Sequence, residues 1–369
     1  MKKKMLAVAL GTAMAASVVS SAAMAEEAKS TYGDVVANEE YTFEIIVKSY
    51  SSDFWLAVVE GAQDEAELLG VKVICNGPNS NTDSADQIQM LNSAINGDAD
   101  GVGIAAIDKE ACYDSMQLAL DQGVPVVCFN SGIPGAVEGS VYATATTDNF
   151  EAGGIGAEHM YEALKDTIAN ATEPVRIGQV NQDATSTSVT ERGIGFIDKM
   201  IELCKADGKS VAVIGNEKYM SDCTDAGDES TADVIIEVRV PAQATSELCA
   251  TEASTLLNKE DLIGIIGTNQ ETAEGILTAD QNIGKLGTDI ASGQVIGCGF
   301  DSGAVIVDAV ENNILYGAIT QAPRYQGQVT VDLLTMIANG EEVTDVSTPV
   351  YWYNSENMND PEIAPNLIR

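Results

Sequence analysis

Basic residues are scarce in this chain: 19 Lys and Arg stand against 56 Asp and Glu, a formal net charge of −37. Such a surface repels nucleic acid and anionic membranes, so neither is an expected partner. Histidine is nearly absent. The single one, His159, falls well past the first turn of a predicted helix and reads as a surface helical position. No Ser/His/Asp or Cys/His arrangement can be built around it, and one histidine does not support a zinc-type cluster. The seven cysteines contain no C-x-x-C pair, and an odd count leaves at least one unpaired. Cys75, Cys128 and Cys298 sit in apolar, strand-like runs and read as buried thiols. Cys204, Cys223 and Cys249 share one irregular region and are candidates for a disulfide. A phosphate loop is missing too. Gly153-Gly154-Ile155-Gly156 does not follow a buried strand in dinucleotide spacing, and no G-x-x-x-x-G-K-[ST] occurs. These gaps argue against an enzyme and call for no cofactor and no metal.

Long hydrophobic runs are confined to the N-terminus. Lys2, Lys3 and Lys4 precede an uncharged stretch from Met5 to Val19, and Ala23-Met24-Ala25 places small residues where a signal peptidase reads. Residues 1–25 are therefore expected to be a secretory signal, cleaved before Glu26. The run falls short of the roughly 20 residues that a membrane span needs. The first cysteine is Cys75, so no lipid anchor is expected at a signal cysteine. The mature chain is expected outside the cytoplasm, periplasmic or extracellular.

What is present is a rhythm. Residues 26–40 are polar and acidic and read as a tether. Tyr41 to Lys48 is then β-rich, Phe54 to Leu69 has helical spacing and stops at Gly70, and Val71 to Cys75 is a strand. Thr82 can cap a helix through Asn96. Strand, helix and strand follow at Asp100–Ala106, Lys109–Gln122 and Val124–Phe129. The alternation resumes at Asp148 and runs to a final strand at Thr348–Tyr353. Uncharged strands between helices mean parallel β/α units buried on both faces. There are too many strands for one open sheet, so the expected fold is α/β with two doubly wound parallel sheets. One stretch breaks rhythm: Lys205 to Asp233 is polar and acidic and reads as an exposed excursion. Its Asp222, Asp225 and Asp228 lack the spacing of a calcium loop.

In open α/β sheets ligands sit beyond the carboxyl ends of strands. Those ends are polar here. The first is followed by Ser49 to Trp55, the strand ending at Phe129 by Asn130 and Ser131, and Val180 by Asn181, Gln182, Asp183 and Thr185 to Ser188. Gly267 is followed by Thr268 to Glu271, Phe300 by Asp301 and Thr320 by Gln321. Amides, hydroxyls and carboxylates beside two aromatics suit a polyhydroxylated ligand. They match its donors and acceptors in pairs, while its C–H face packs on a ring. Taken singly, most of these residues read equally well as helix caps and turns.

Several pieces in order carry a family resemblance: Asp53-Phe54-Trp55, Glu60-Gly61-Ala62-Gln63, Gly123-Val124-Pro125-Val126-Val127, Thr147-Asp148-Asn149, Glu191-Arg192-Gly193-Ile194-Gly195-Phe196, Thr268-Asn269, Gly299-Phe300-Asp301 and Ile319-Thr320-Gln321. From about Tyr41 to Tyr353 the chain resembles the type I periplasmic sugar-binding proteins, in their ribose-binding-protein-like branch. The resemblance implies two lobes joined by three crossover strands near Thr147, Gln321 and Thr348. The N-terminal lobe would take residues 41–147 and 322–347, and the C-terminal lobe 148–321 and 348–369. Phe54 and Trp55 would pack on a sugar ring, with Ser52, Asn130 and Ser131 bonding it from the same lobe. Thr190, Asn269, Asp301 and Gln321 would bond it from the other lobe and the hinge. The implied function is capture of a sugar or sugar-like polyol by a monomer, with delivery to the membrane permease of an ATP-binding-cassette importer. A furanone-type quorum signal or other small non-sugar ligand is the alternative. Ribose-binding members carry Asp-Arg where this chain has Asn130-Ser131, and Arg where it has Thr190, which leaves the sugar unspecified.

Overall fold

The computed structural model describes residues 29–369; the signal expected at residues 1–25 lies outside them. The first lobe alternates as far as β4, which β5 follows with no helix between: β1 (Thr42–Ile46), α1 (Asp53–Leu69), β2 (Lys72–Asn76), α2 (Ser84–Ile95), β3 (Gly101–Ile104), α3 (Tyr113–Gln122), β4 (Val126–Phe129) and β5 (Val141–Thr146). The chain then crosses to a second lobe. This one holds α4 (Asn149–Asn170), β6 (Val175–Val180), α5 (Thr187–Ala206), β7 (Val211–Gly215), α6 (Glu217–Asp222), β8 (Val234–Arg239), α7 (Ser246–Leu257), β9 (Leu262–Gly267), α8 (Gln270–Ile283), β10 (Ile296–Phe300), α9 (Ala304–Glu311) and β11 (Gly317–Gln321). It returns through α10 (Pro323–Ala338) and β12 (Val346–Ser347), and crosses again to β13 (Val350–Tyr353).

Two sheets result, with strand orders β12-β5-β4-β3-β1-β2 and β13-β11-β10-β9-β6-β8-β7. The pairings are parallel except β11 with β13. Apolar residues are buried on both faces of each sheet, which is why the strands carry so few charges. Three segments connect the lobes, after β5, after β11 and between β12 and β13. All the site-forming strand ends of both sheets therefore face the same cleft.

Glycines allow the helix pairs to close. A Cβ on Gly153 would stand 2.1 Å from the Arg192 carbonyl oxygen, and one on Gly195 would stand 2.0 Å from that of Phe150. Helices α4 and α5 thus cross with backbones touching, which sets the depth at which Arg192 enters the lobe.

The structure departs from the sequence reading in several places. The Lys205–Asp233 stretch is not a wholly exposed excursion: it contains edge strand β7 and α6, and Tyr219 is fully buried. The Tyr219 hydroxyl donates to the Asp183 carbonyl and accepts from the Asn181 amide. Carboxylates of Asp222 and Asp225 pair with Lys218 and Lys205 rather than with one another. Cys204, Cys223 and Cys249 are unpaired, and six of the seven cysteines are buried. The cap of α2 is Asp83, not Thr82, and α3 starts at Tyr113 rather than Lys109. Strand β5 is half-exposed and carries threonines, so it lacks a fully apolar run. His159 is half-buried, its ring stacked on Trp352 at 4.1 Å and 7°. The stretch read as a tether runs against the first lobe. The Thr31 amide and hydroxyl donate to Glu65, and the Tyr32 amide donates to Asp332 at 2.8 Å.

Candidate functional site

The chain leaving β1 enters the cleft. Val47 stays in the core, and Lys48 follows it with only 2% of its surface exposed. Its ammonium donates to Ser186 Oγ at 2.5 Å and Ser188 Oγ at 3.3 Å, both on the opposite lobe. Ser52 starts α1, and its hydroxyl donates to Gln270 Oε1 across the cleft at 2.9 Å. Phe54 and Trp55 then pack edge to face, centroids 4.9 Å apart, and Trp55 rests on Phe129. The indole N–H donates to Asn81 Oδ1 at 2.8 Å, which orients the ring. These aromatics belong to the first lobe's core as well as to its surface on the cleft.

Asn130, after β4, takes a left-handed backbone (φ 56°), and Asp301, after β10, does the same (φ 68°). Non-glycine residues rarely adopt this conformation, and it costs of order 1–3 kcal/mol that the surroundings must hold in place. Of three such residues among those described, two sit at these strand ends. The turn aims the Asn130 amide at the hinge, where it donates to Gln321 and Gln326 at 3.3 Å. Asp301 accepts from the Gln270 backbone N–H at 3.1 Å and from the Gln321 amide at 2.6 Å. Asn269 caps α8 through a reciprocal capping box with Thr272, and its amide N–H also donates to Gln182 and Glu271.

These groups meet at a nearly filled cavity between the lobes, with about 20 Å³ of free space, room for about one water. Ser52, Phe54, Trp55, Asn130, Asn269, Asp301 and Gln321 line it. Ser131 lies one layer out, accepting from the Ser188 amide. Thr190 does not reach the cavity: its hydroxyl bonds back to the Ser186 and Thr187 carbonyls within its own helix.

The wall also contains Lys48, Asn81, Gln182, Ser188, Arg192 and Glu271, which were not among the candidates named from the sequence. Gln182, Ser188 and Glu271 had at least appeared as polar strand ends. Lys48 carried a usable signal, a lone charge at the carboxyl end of an apolar strand. Arg192 stood within a recognised motif but on a helix rather than after a strand.

Burial governs the electrostatics. It pushes the Lys48 ammonium down to about 8, against an opposing pull from Asp183. Burial likewise lowers Arg192 and raises Asp301, while the attraction between those two opposes both shifts. Glu271 is raised to about 7 by burial. The Arg192 guanidinium lies 4.1 Å over the Phe300 ring, a cation–π contact in a desolvated setting. The wall thus combines donors, acceptors and two aromatic side chains, groups that match a small polar solute.

Comparison with known proteins agrees with that geometry. Residues 43–342 match the family described as "Periplasmic binding protein domain". A ribose import binding protein of Bacillus subtilis is 21% identical over 313 residues, 85% of this chain and 87% of that protein. A solved structure from Brachyspira murdochii, described as an ABC transporter, LacI family transcriptional regulator, is 31% identical. It superposes with a TM-score of 0.73 over 89% of this chain and 99% of its own. An ABC transporter solute binding protein from Agrobacterium vitis with bound D-fucose shares the fold, at 24% identity and a TM-score of 0.72 over 89% of this chain and 100% of its own.

Proposed function

Since this chain belongs to the periplasmic binding protein domain family of non-catalytic solute-binding proteins, we propose that it captures a sugar or sugar-like polyol between closing lobes and delivers it to an ATP-binding-cassette importer. The observation that carries this reading is the cavity itself. It is walled by both lobes and lined by Phe54, Trp55, Asn130, Asn269, Asp301 and Gln321. A pyranose has an apolar C–H face for the aromatics and a ring of hydroxyls for the amides and carboxylates. The sugars named for similar proteins, ribose and D-fucose, support the same class of ligand.

Closure follows from where the contacts fall. A ligand that touches both walls gains its full binding energy only when the lobes meet, so it shifts the population toward the closed form. Direct bonds between lobes, Lys48 to Ser186 and Ser52 to Gln270, help hold that form. The importer then recognises the closed outline. Thermal-shift screening against pentoses, hexoses, cyclitols and furanones tests the reading. A ligand at 100 times its Kd should add about 2.7 kcal/mol to folded-state stability. A stabilising furanone with no stabilising sugar would replace the sugar reading with the signalling one.

A further inference from the structure

The polar groups of the cavity are unevenly satisfied. On the acidic side, both Asp301 oxygens accept hydrogen bonds, from Gln270 and Gln321. Both Glu271 oxygens accept as well, from the amides of Asn81 and Asn269. The cationic side is different. Lys48 spends its hydrogen bonds on two hydroxyls and none on a carboxylate, which leaves one of its three N–H donors free. Arg192 donates from Nε to Asn149 at 2.8 Å and from Nη1 to the Thr268 carbonyl at 3.2 Å. Its Nη2 is buried without a partner among the described residues, and the nearest carboxylate contact there, from Asp301, is at the limit of an ion pair at 4.0 Å. The two cations also repel each other, since Arg192 works against protonation of Lys48.

An unpaired donor on a buried charge costs more than a neutral one. Two such donors in one small cavity, beside carboxylates already provided for, mean that the missing partner is an acceptor brought from outside. We propose that Lys48 and Arg192 form a specificity-determining pair that seats a ligand oxygen carrying no proton of its own, either the ring oxygen of a closed-ring sugar or the carboxylate of a sugar acid. This rests on the reading of the cavity as a sugar site. It adds a direction: the ligand enters with its proton-free oxygen toward Lys48 and Arg192 and its hydroxyls toward Asp301, Asn269 and Glu271. A cyclitol, in which every oxygen is a hydroxyl, offers no such acceptor and is disfavoured.

The test is isothermal titration of wild type, Lys48→Met and Lys48→Arg with three matched sets of probes. One set is D-glucose, D-galactose, D-xylose and D-arabinose; the second is D-glucuronate and D-galacturonate; the third is myo-inositol and scyllo-inositol. Wild type should bind a member of the first or second set at least tenfold more tightly than either inositol. Lys48→Met should erase that difference, and Lys48→Arg should restore part of it. Preference for the first set identifies the ring oxygen, and preference for the second identifies the carboxylate. Inositols binding as tightly as the best sugar, or Lys48→Met weakening all sets equally, would overturn the pairing while leaving a polyol site intact. D-Glycerate and L-lactate provide the last arm. Lys48-dependent binding of these alone keeps the proton-free oxygen and discards the sugar, whereas no binding by any probe discards both. Thermal denaturation of each variant separates lost recognition from lost folding.

Discussion

Asp301 offers the sharpest single-residue test. Exchange for asparagine keeps its shape but replaces one accepting oxygen by an NH2 group. Both existing partners, the Gln270 backbone N–H and the Gln321 amide, are donors. One of them must then face another donor in a buried setting, at a cost of about 1–3 kcal/mol in stability. Arg192 loses its carboxylate contact with Asp301 in the same step. A ligand hydroxyl that donated to the charged oxygen loses a charge-assisted bond worth about 1.5–3 kcal/mol, which corresponds to a roughly 10- to 150-fold weaker Kd. Helix capping does not enter the sum, because the N-cap residue of α9 is Gly303, which has no side chain to cap with. Calorimetric titration of Asp301→Asn with the sugar found by thermal shift gives the affinity, and urea denaturation gives the stability. An affinity within twofold of wild type, whatever happens to stability, would refute a ligand contact at Asp301.

Trp55 belongs to both core and cavity, so Trp55→Ala should lower stability by about 3–5 kcal/mol as well as abolish binding; Trp55→Phe, followed by fluorescence of the remaining Trp352, should keep most of the stability and show weakened binding. Lys48→Met should stabilise the empty protein near neutral pH, because burial lowers the ammonium from 10.5 to about 8 and so penalises folding wherever the unfolded lysine is charged. The gain is about 3 kcal/mol below pH 8 and fades as pH rises toward 10.5, where the unfolded lysine also loses its proton; a destabilised Lys48→Met at pH 7 would contradict it. Asp332 beside Glu65, near Tyr32 and Tyr325, is raised from 3.8 to about 8 by burial, so its stabilising proton is fully retained below pH 3.8 and its contribution is lost as pH rises toward 8. Asp332→Asn should therefore stabilise the protein progressively across that window, read as melting temperature against pH, and leave ligand affinity unchanged.

The alternation of strands and helices was legible because parallel strands buried on both faces must be uncharged, and helices between them must end in caps such as Gly70 and Gly123. What escaped was short or half-exposed: β5 with its threonines, and edge strand β7 inside an acidic stretch. Strand-end logic led to Asn269, Asp301 and Gln321 because topology alone puts such residues at the cleft. It missed Arg192, which reaches the cavity from a helix drawn in by the Gly153 and Gly195 contact. The family resemblance, rather than a strand end, placed Thr190 at the cavity, and its hydroxyl turns back to its own helix backbone instead. Lys48 was passed over because a charge beside a core strand resembles a solvated strand end until burial is known.

Solution X-ray scattering with and without the sugar identified by thermal shift tests the central claim most directly. The claim is that ligand contacts on both lobes draw them together around a cavity shared by Trp55 on one side and Asp301 on the other. A saturating sugar should shrink the radius of gyration and move the scattering curve toward the one calculated from the closed structure. Lys48→Met should blunt that change at the same sugar concentration. Superimposable curves with and without a saturating sugar would contradict the account.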